Sequence, residues 1–171
     1  MHALLEKLKG GDFRSIGRSE EITKTVLSQP ELFAVLLSGL TSDDALVRMR
    51  AADAAEKVSA IHPEWLAPYK RYLLDEVAKI DQQEVRWHAA LLFTRLELTK
   101  PERMRAASIL KSWLEDKSRI VQTFSLQALA DLSKRDAGLR SEVKRLIEEK
   151  VKTGPPSVQS RGRKLLKEFS S

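Results

Sequence analysis

A single helical pattern recurs four times along this chain, and no other feature restricts its fold as strongly. The copies align on one valine each, with spacings of 38, 36 and 37 residues between Val47, Val85, Val121 and Val158. Four positions after each valine stands a small residue, and apolar residues follow at seven, eight and eleven positions. These offsets lie on one face of an α-helix. Each copy is therefore predicted to be an amphipathic helix.

A second apolar side makes these helices unsuited to standing alone. Five positions after the valine, the residues are Ala52, Ala90, Leu126 and, in the last copy, Arg163. A helix with two apolar sides packs against its own partner helix and against the next repeat. Segments with a helical apolar stripe precede the four copies at residues 31–40, 63–79, 99–115 and 139–152. The expected fold is all-α, with four stacked antiparallel helix pairs over residues 31–169 that follow N-terminal helices in residues 1–30. All 171 residues are expected to form a single domain.

Local signals mark several helix ends and two aromatic positions. Ser19 is expected to cap a helix that continues with acidic residues, and Thr99 is expected to cap the helix that begins near Pro101. Trp65 and Trp113 lie on or beside the first helix of a pair, where packing is the favoured interpretation.

The period and motif resemble HEAT-type repeats in their Asp-x-x-Val-Arg-x-x-Ala-Ala form. The best match is Asp44, Val47-Arg48 and Ala51-Ala52; Val85-Arg86 with Ala89-Ala90 is next, and Val121-Gln122 and Val158-Gln159 are degraded copies. The resemblance covers about residues 31–169. It implies a right-handed α-solenoid whose B helices, the second of each pair, line the concave side. It also implies that Arg48 and Arg86 pair with the turn acids Asp43, Asp44 and Asp81; an anion-binding row is the alternative.

Composition favours a soluble cytoplasmic protein. The chain has no cysteine, which excludes disulfides and thiolate metal sites and suits a reducing compartment. No apolar run is long enough for a membrane span or a signal peptide, so no membrane contact is expected. The net charge of +6 comes entirely from the residues from Lys134 onward, which include 11 basic and 5 acidic residues.

The candidate partner-binding surface consists of B-helix positions that point away from both packing sides. They are Arg50, Asp53, Trp87, His88, Leu91, Arg95, Phe124, Gln127, Arg161 and Lys164. Trp87, Leu91 and Phe124 are apolar where a solvated stripe would be polar, and aromatic and arginine side chains are typical anchors of a binding groove. Two alternatives stay open: curvature of the solenoid buries these residues, or the N-terminal helices cover them.

Three functions are weighed. The first is a non-catalytic binding or scaffold module that holds another protein or a peptide on its concave face, which a groove of mixed charge favours. The alternative is nucleic-acid binding on a basic concave face, as in the HEAT-like alkylpurine DNA glycosylases. The residues that would then contact phosphates, with help from the basic C-terminal end, are Arg50, His88, Arg95, Arg161, Lys164 and Lys167. The third function, an enzyme, has the least support, because no catalytic constellation or cofactor motif occurs in the sequence. The histidines His2, His62 and His88 also lack metal-ligand spacing.

Overall fold

The structure, a computed structural model, describes residues 1–171 and confirms the all-α fold, with α-helices, short 3₁₀ turns and no strand. The α-helices are α1 (Ala3–Glu6), α2 (Ser19–Ser28), α3 (Phe33–Ser38), α4 (Ala45–Ile61), α5 (Lys70–Asp75), α6 (Gln83–Arg95), α7 (Lys100–Trp113), α8 (Arg119–Lys134), α9 (Ala137–Thr153) and α10 (Pro156–Phe169). The chain forms two compact units, Met1–Glu97 and Leu98–Ser171. A single domain over the whole chain stays a prediction beside this division.

The first unit is built around α4, which packs against α2, α3 and α6. Four of its alanines, Ala51, Ala52, Ala54 and Ala55, are fully buried, because helices lie on both of its apolar sides. The close fit extends to Gly39, where an added Cβ would lie 2.7 Å from the Cβ of Ala51. The small residues of the motif therefore allow close helix contacts, as the pattern predicts.

The second unit consists of the pairs α7–α8 and α9–α10, with α8 also in contact with α9 and α10. Its core contains Leu110, Leu129, Ile147 and Leu165, each at most 1% exposed. In α10, a Cβ on Gly162 would lie 2.6 Å from Cγ2 of Val151. Gly162 thus occupies the expected small position, where α9 and α10 pack closely.

Helix starts follow the capping signals with one exception. Asp44 and Ser118 accept main-chain N–H groups at the starts of α4 and α8, and Thr99 forms a reciprocal capping box with Glu102. Ser19 was expected to cap a helix, but it is not an N-cap. It is the first residue of α2, and its hydroxyl donates to Asp53 instead.

The segment from Pro63 to Lys79 departs from the single helix that its apolar stripe predicts. It forms a 3₁₀ helix over Pro63–Tyr69, then α5, then a 3₁₀ turn over Val77–Lys79. Pro68 has no N–H to donate, and its ring clashes with the preceding turn of an α-helix. Proline therefore prevents a continuous α-helix here, although the apolar residues Leu66, Leu73 and Val77 are buried as predicted.

The residue after the aligned valine holds the preceding turn in three of the four repeats. It donates to a main-chain oxygen six positions back: Arg48 Nη1 to Ser42 at 2.7 Å, Arg86 Nε to Ile80 at 3.2 Å, and Gln122 Nε2 to Asp116 at 2.5 Å. Arg86 also pairs with Asp81 at 3.3 Å, as the resemblance implies. Arg48 reaches the amide oxygen of Gln82 at 2.7 Å rather than the carboxylates of Asp43 and Asp44. These motif residues therefore serve the fold.

Candidate binding surface

In the first unit, the N-terminal residues cover part of the side of the B helix α4 that was expected to face the groove. Arg50 is only 2% exposed, and its guanidinium donates to four main-chain oxygens. These belong to Leu8 at 2.7 Å, Gly10 at 2.5 Å, Asp12 at 3.2 Å and Ser15 at 3.2 Å. Its expected place on an open groove is wrong, because the segment after α1 folds over it. Of the two alternatives left open, cover by the N-terminal residues applies here.

Glycine allows this segment to approach Arg50 so closely. Gly17 has a φ of 56°, and a Cβ at that position would lie 2.8 Å from Cζ of Arg50. A side chain is disfavoured both by the left-handed backbone and by the guanidinium beneath it. The Gly-containing loop and the buried arginine thus form one structural element.

Asp53 is also held by the N-terminal residues. The hydroxyl of Ser19 and the ammonium of Lys57 donate to its Oδ2, the latter at 2.8 Å, and Nε2 of His88 lies 3.8 Å from its Oδ1. Burial by itself would raise the pKa of this carboxyl. The contacts from His88, Lys57 and Ser19 outweigh burial and hold the pKa of Asp53 well below its ordinary value. The side chain is 14% exposed and carries its charge at neutral pH.

His88 is 3% exposed, which corrects its expected place on the open surface. Its Nδ1 faces the main-chain oxygen of Glu84 at 2.5 Å, and its ring stacks on Trp87 with 3.5 Å between centroids. A nucleophilic serine would need its hydroxyl directed to the imidazole. Here Asp53 stands between Ser19 and His88 and contacts both, so the three side chains join α2, α4 and α6.

Replacing Asp53 with asparagine tests this junction. At pH 7 we expect the free energy of unfolding to fall by about 2 kcal/mol, because charged hydrogen bonds are lost. Because the pKa of Asp53 is lowered in the folded state, its charge stabilises the folded protein at pH values above the unfolded pKa, about 3.9 for aspartate. This stabilisation is lost as the pH falls further. The difference between the two proteins should therefore shrink below about pH 4.

Urea denaturation from pH 7 to pH 3 measures this dependence. Asp131→Asn is the matched control, since Asp131 accepts hydrogen bonds from Gln127 and Lys134 but is more exposed. An Asp53→Asn difference that stays constant down to pH 3 would contradict the assignment.

Arg95 is engaged within the first unit. Its Nη1 donates to the main-chain oxygen of Glu56 and to Ser59 Oγ, at 2.6 and 2.9 Å, and its Nη2 donates to Oε1 of Glu56 at 2.6 Å. Both side chains of this ion pair are 21% exposed. Next to this pair, Trp87 and Leu91 are partly exposed on α6. Along this part of α6, the first unit thus presents two partly exposed apolar side chains beside an internal ion pair.

In the second unit, the predicted residues lie on α8 and α10. Phe124, Gln127 and Arg161 are partly exposed, and Lys164 is exposed. Arg161 Nη1 donates to Oε1 of Gln127 at 2.8 Å, so the two helices are joined at these positions. The structure brings together Arg161 and Gln127, as it does Asp53 and His88 in the first unit.

Several cations of the basic C-terminal region contact acidic side chains of the second unit. Lys150 lies 2.5 Å from Glu115, Lys134 lies 3.2 Å from Glu168, and Lys111 of α7 pairs with Glu142 at 2.9 Å. A shallow hollow of about 620 Å³ on α9 also has mixed charge, with Lys144 and Arg145 beside glutamates. The region is basic in net charge, but its surface alternates in sign.

A second hollow in the first unit was missed from the sequence. It measures about 320 Å³ and is lined by Pro30, Phe33, Glu64, Trp65, Pro68 and Tyr69. Trp65 is partly exposed there, although Trp113 is buried as expected. One signal was present: Phe33 lies in the 31–40 segment and Trp65 and Tyr69 lie in the 63–79 segment, so the first-helix segments of two consecutive repeats both contain aromatic residues.

No group of three or more His, Asp or Glu side chains is placed to hold a metal ion. None of the helices combines the length and apolar character that a membrane crossing needs.

Comparison with known proteins supplies a family match. A family model described as a HEAT repeat domain matches residues 11–169. The match begins upstream of residue 31, where the sequence motif places the first repeat, and it includes α2. No curated protein and no solved structure matches the chain.

Proposed function

The chain belongs to the HEAT repeat family, and from this premise we propose that it is a non-catalytic scaffold that binds another protein or a peptide. The proposed contact surface is the solvent-facing side of its B helices, with Trp87 and Leu91 as anchors in the first unit. Phe124 would serve the same purpose in the second unit. A cytoplasmic location, which the absence of cysteine favours, is part of the proposal.

One observation carries the choice of a protein partner over a nucleic acid. The arginines expected to contact phosphates have partners within the chain: Arg50 binds main-chain oxygens, Arg95 binds Glu56, and Arg161 binds Gln127. A phosphate would have to displace these contacts, and Arg50 would first have to be uncovered. Trp87 and Leu91 are partly exposed on α6, so part of each side chain is accessible to an apolar group of a partner. Aromatic residues at partly buried positions are typical anchors of protein interfaces.

Affinity capture from nuclease-treated extract of the native cells tests this proposal. We expect Trp87→Ala combined with Leu91→Ala to reduce recovery of a captured protein at least about tenfold, since anchor residues contribute about 2 kcal/mol or more each. The matched control is Phe13→Ala combined with Met104→Ala, which removes side chains that are 55% and 52% exposed and lie outside the B helices.

Two results would count against a protein partner at this surface. One is equal capture by both double variants and the unaltered protein, with melting temperatures unchanged. The other is DNA binding whose affinity falls steeply between low and moderate salt, as release of counterions from phosphates requires. The second result would favour the basic C-terminal region as a nucleic-acid contact.

A further inference from the structure

Three aromatic rings surround the 320 Å³ cleft of the first unit, on a side built from the first helices of two repeats. Phe33 is 3% exposed and lies deepest, while Trp65 and Tyr69 are partly exposed. The Trp65 ring is inclined by 62° to that of Phe33, and the Tyr69 ring by 81°. Their centroids lie 5.7 and 6.0 Å from the Phe33 centroid. The planes of the Trp65 and Tyr69 rings are thus both steeply inclined to that of the buried Phe33 ring.

The orientation of Trp65 is supported from outside the aromatic trio. The imidazole of His62 stacks on the indole with 4.3 Å between centroids and an angle of 5° between the planes. His62 thus covers one face of the indole and supports the position of Trp65 at the cleft. Pro30 and Pro68 complete the lining, and proline restricts the backbone at both places. The cleft is therefore a preformed apolar hollow of a size common among small-molecule sites.

The one charged residue in the lining is acidic. Glu64 is 65% exposed at its side chain, and its Oε1 lies 2.9 Å from Nδ1 of His62. The hydrogen bond from His62 lowers the pKa of the Glu64 carboxyl below its ordinary value, so the carboxylate is charged at neutral pH. A carboxylate beside aromatic rings attracts a cation, and the negative faces of the rings act in the same direction.

The apolar lining selects among cations. A primary ammonium would leave water and give up hydrogen bonds that one carboxylate cannot replace. A quaternary ammonium has no N–H groups to satisfy, and its methyl groups contact ring faces favourably. We propose that this aromatic cleft binds a small molecule that carries a trimethylammonium group. This site is separate from the protein-binding surface proposed above, and neither proposal depends on the other.

Isothermal titration calorimetry with choline tests the proposal. The comparison ligand is dimethylbutanol, a neutral isostere in which carbon replaces the quaternary nitrogen. We expect choline to bind about fivefold more tightly, because cation–π contacts with partly exposed rings contribute about 1 kcal/mol. Glu64→Gln should weaken choline binding several-fold, and Trp65→Ala should abolish it. Glu31→Gln and Phe13→Ala are the matched controls, since neither residue lines the cleft.

The variants also separate binding from folding. Glu64 and Tyr69 are not buried, so Glu64→Gln and Tyr69→Ala test the site even if Trp65→Ala fails to fold. Equal affinity for choline and its isostere would overturn the proposal, as would unchanged choline binding by Glu64→Gln. Absence of choline binding would overturn it too, and a proline-rich peptide that binds the same cleft would then assign it to peptide recognition.

Discussion

Replacing Arg50 with alanine should lower the free energy of unfolding by about 3 kcal/mol, and most of this loss should come from weaker attachment of the N-terminal segment. The guanidinium supplies donors to the main-chain oxygens of Leu8, Gly10, Asp12 and Ser15. Each hydrogen bond contributes about 1 kcal/mol or more, and water can replace only part of this when the segment loosens. Residues 8–18 should therefore detach before the rest of the first unit unfolds.

Urea denaturation and hydrogen exchange measure the two parts of this effect. Exchange should accelerate most in residues 8–18 and in α2. Arg50→Lys should recover less than half of the loss, since an ammonium keeps the charge but cannot reproduce the planar set of donors. Arg71→Ala is the surface control, because that side chain is 96% exposed. A loss within about 0.5 kcal/mol of the control would mean that Arg50 does not hold the segment.

Replacing Gly162 with leucine should destabilise the second unit by about 2 to 3 kcal/mol, as overpacking of a dense interior does. The Cβ alone would lie 2.6 Å from Val151 Cγ2 and 3.6 Å from Ile147 Cγ2, and leucine adds three more carbons. The helices α9 and α10 would have to separate, which would loosen the contacts of Val143 and Leu165. Better helix propensity of leucine offsets only about 1 kcal/mol.

A double-mutant cycle identifies the cause. Gly162→Ala alone should be mildly destabilising or neutral, since a methyl clash opposes a gain in helix propensity. Combined with Val151→Ala, it should show a favourable interaction energy of about 1 kcal/mol, because the two changes relieve each other. Gly138→Ala is a control at a glycine whose nearest neighbour is Asp136 Oδ1 at 3.2 Å. Strict additivity at Gly162 and Val151 would show that the close approach does not limit stability.

The repeat architecture could be predicted because every repeat needs buried apolar and small residues at the same positions of its second helix. Val47, Val85, Val121 and Val158 are all fully buried, which the period and the helical offsets predict together. The helix-pair order, the small position at Gly162 and the Thr99 capping box follow from local chemistry. Where a local rule competed with the pattern, the local rule prevailed, as at Pro68.

The candidate surface was predicted less well, since it depends on which residues remain uncovered. Trp87, Leu91 and Phe124 are partly exposed, but Arg50 and His88 lie beneath other groups. Helical periodicity identifies a third side of a helix, yet it contains no information about a loop that arrives from 35 or more residues away. The hydrogen bonds of Arg50 join it to such a loop, since their acceptors lie 35–42 residues away in the sequence.

By itself the sequence determined the helices, their pairing and the residues that build the core. Each of these depends on contacts within about one repeat, which recur and can be compared between copies. The tertiary structure alone decided that an N-terminal loop covers Arg50, that Asp53 joins α2 to α4 and α6, and that aromatic residues from two repeats surround a cleft. These features depend on how distant side chains compete for the same carbonyls, carboxylates and space, and that competition is settled only when the helices pack.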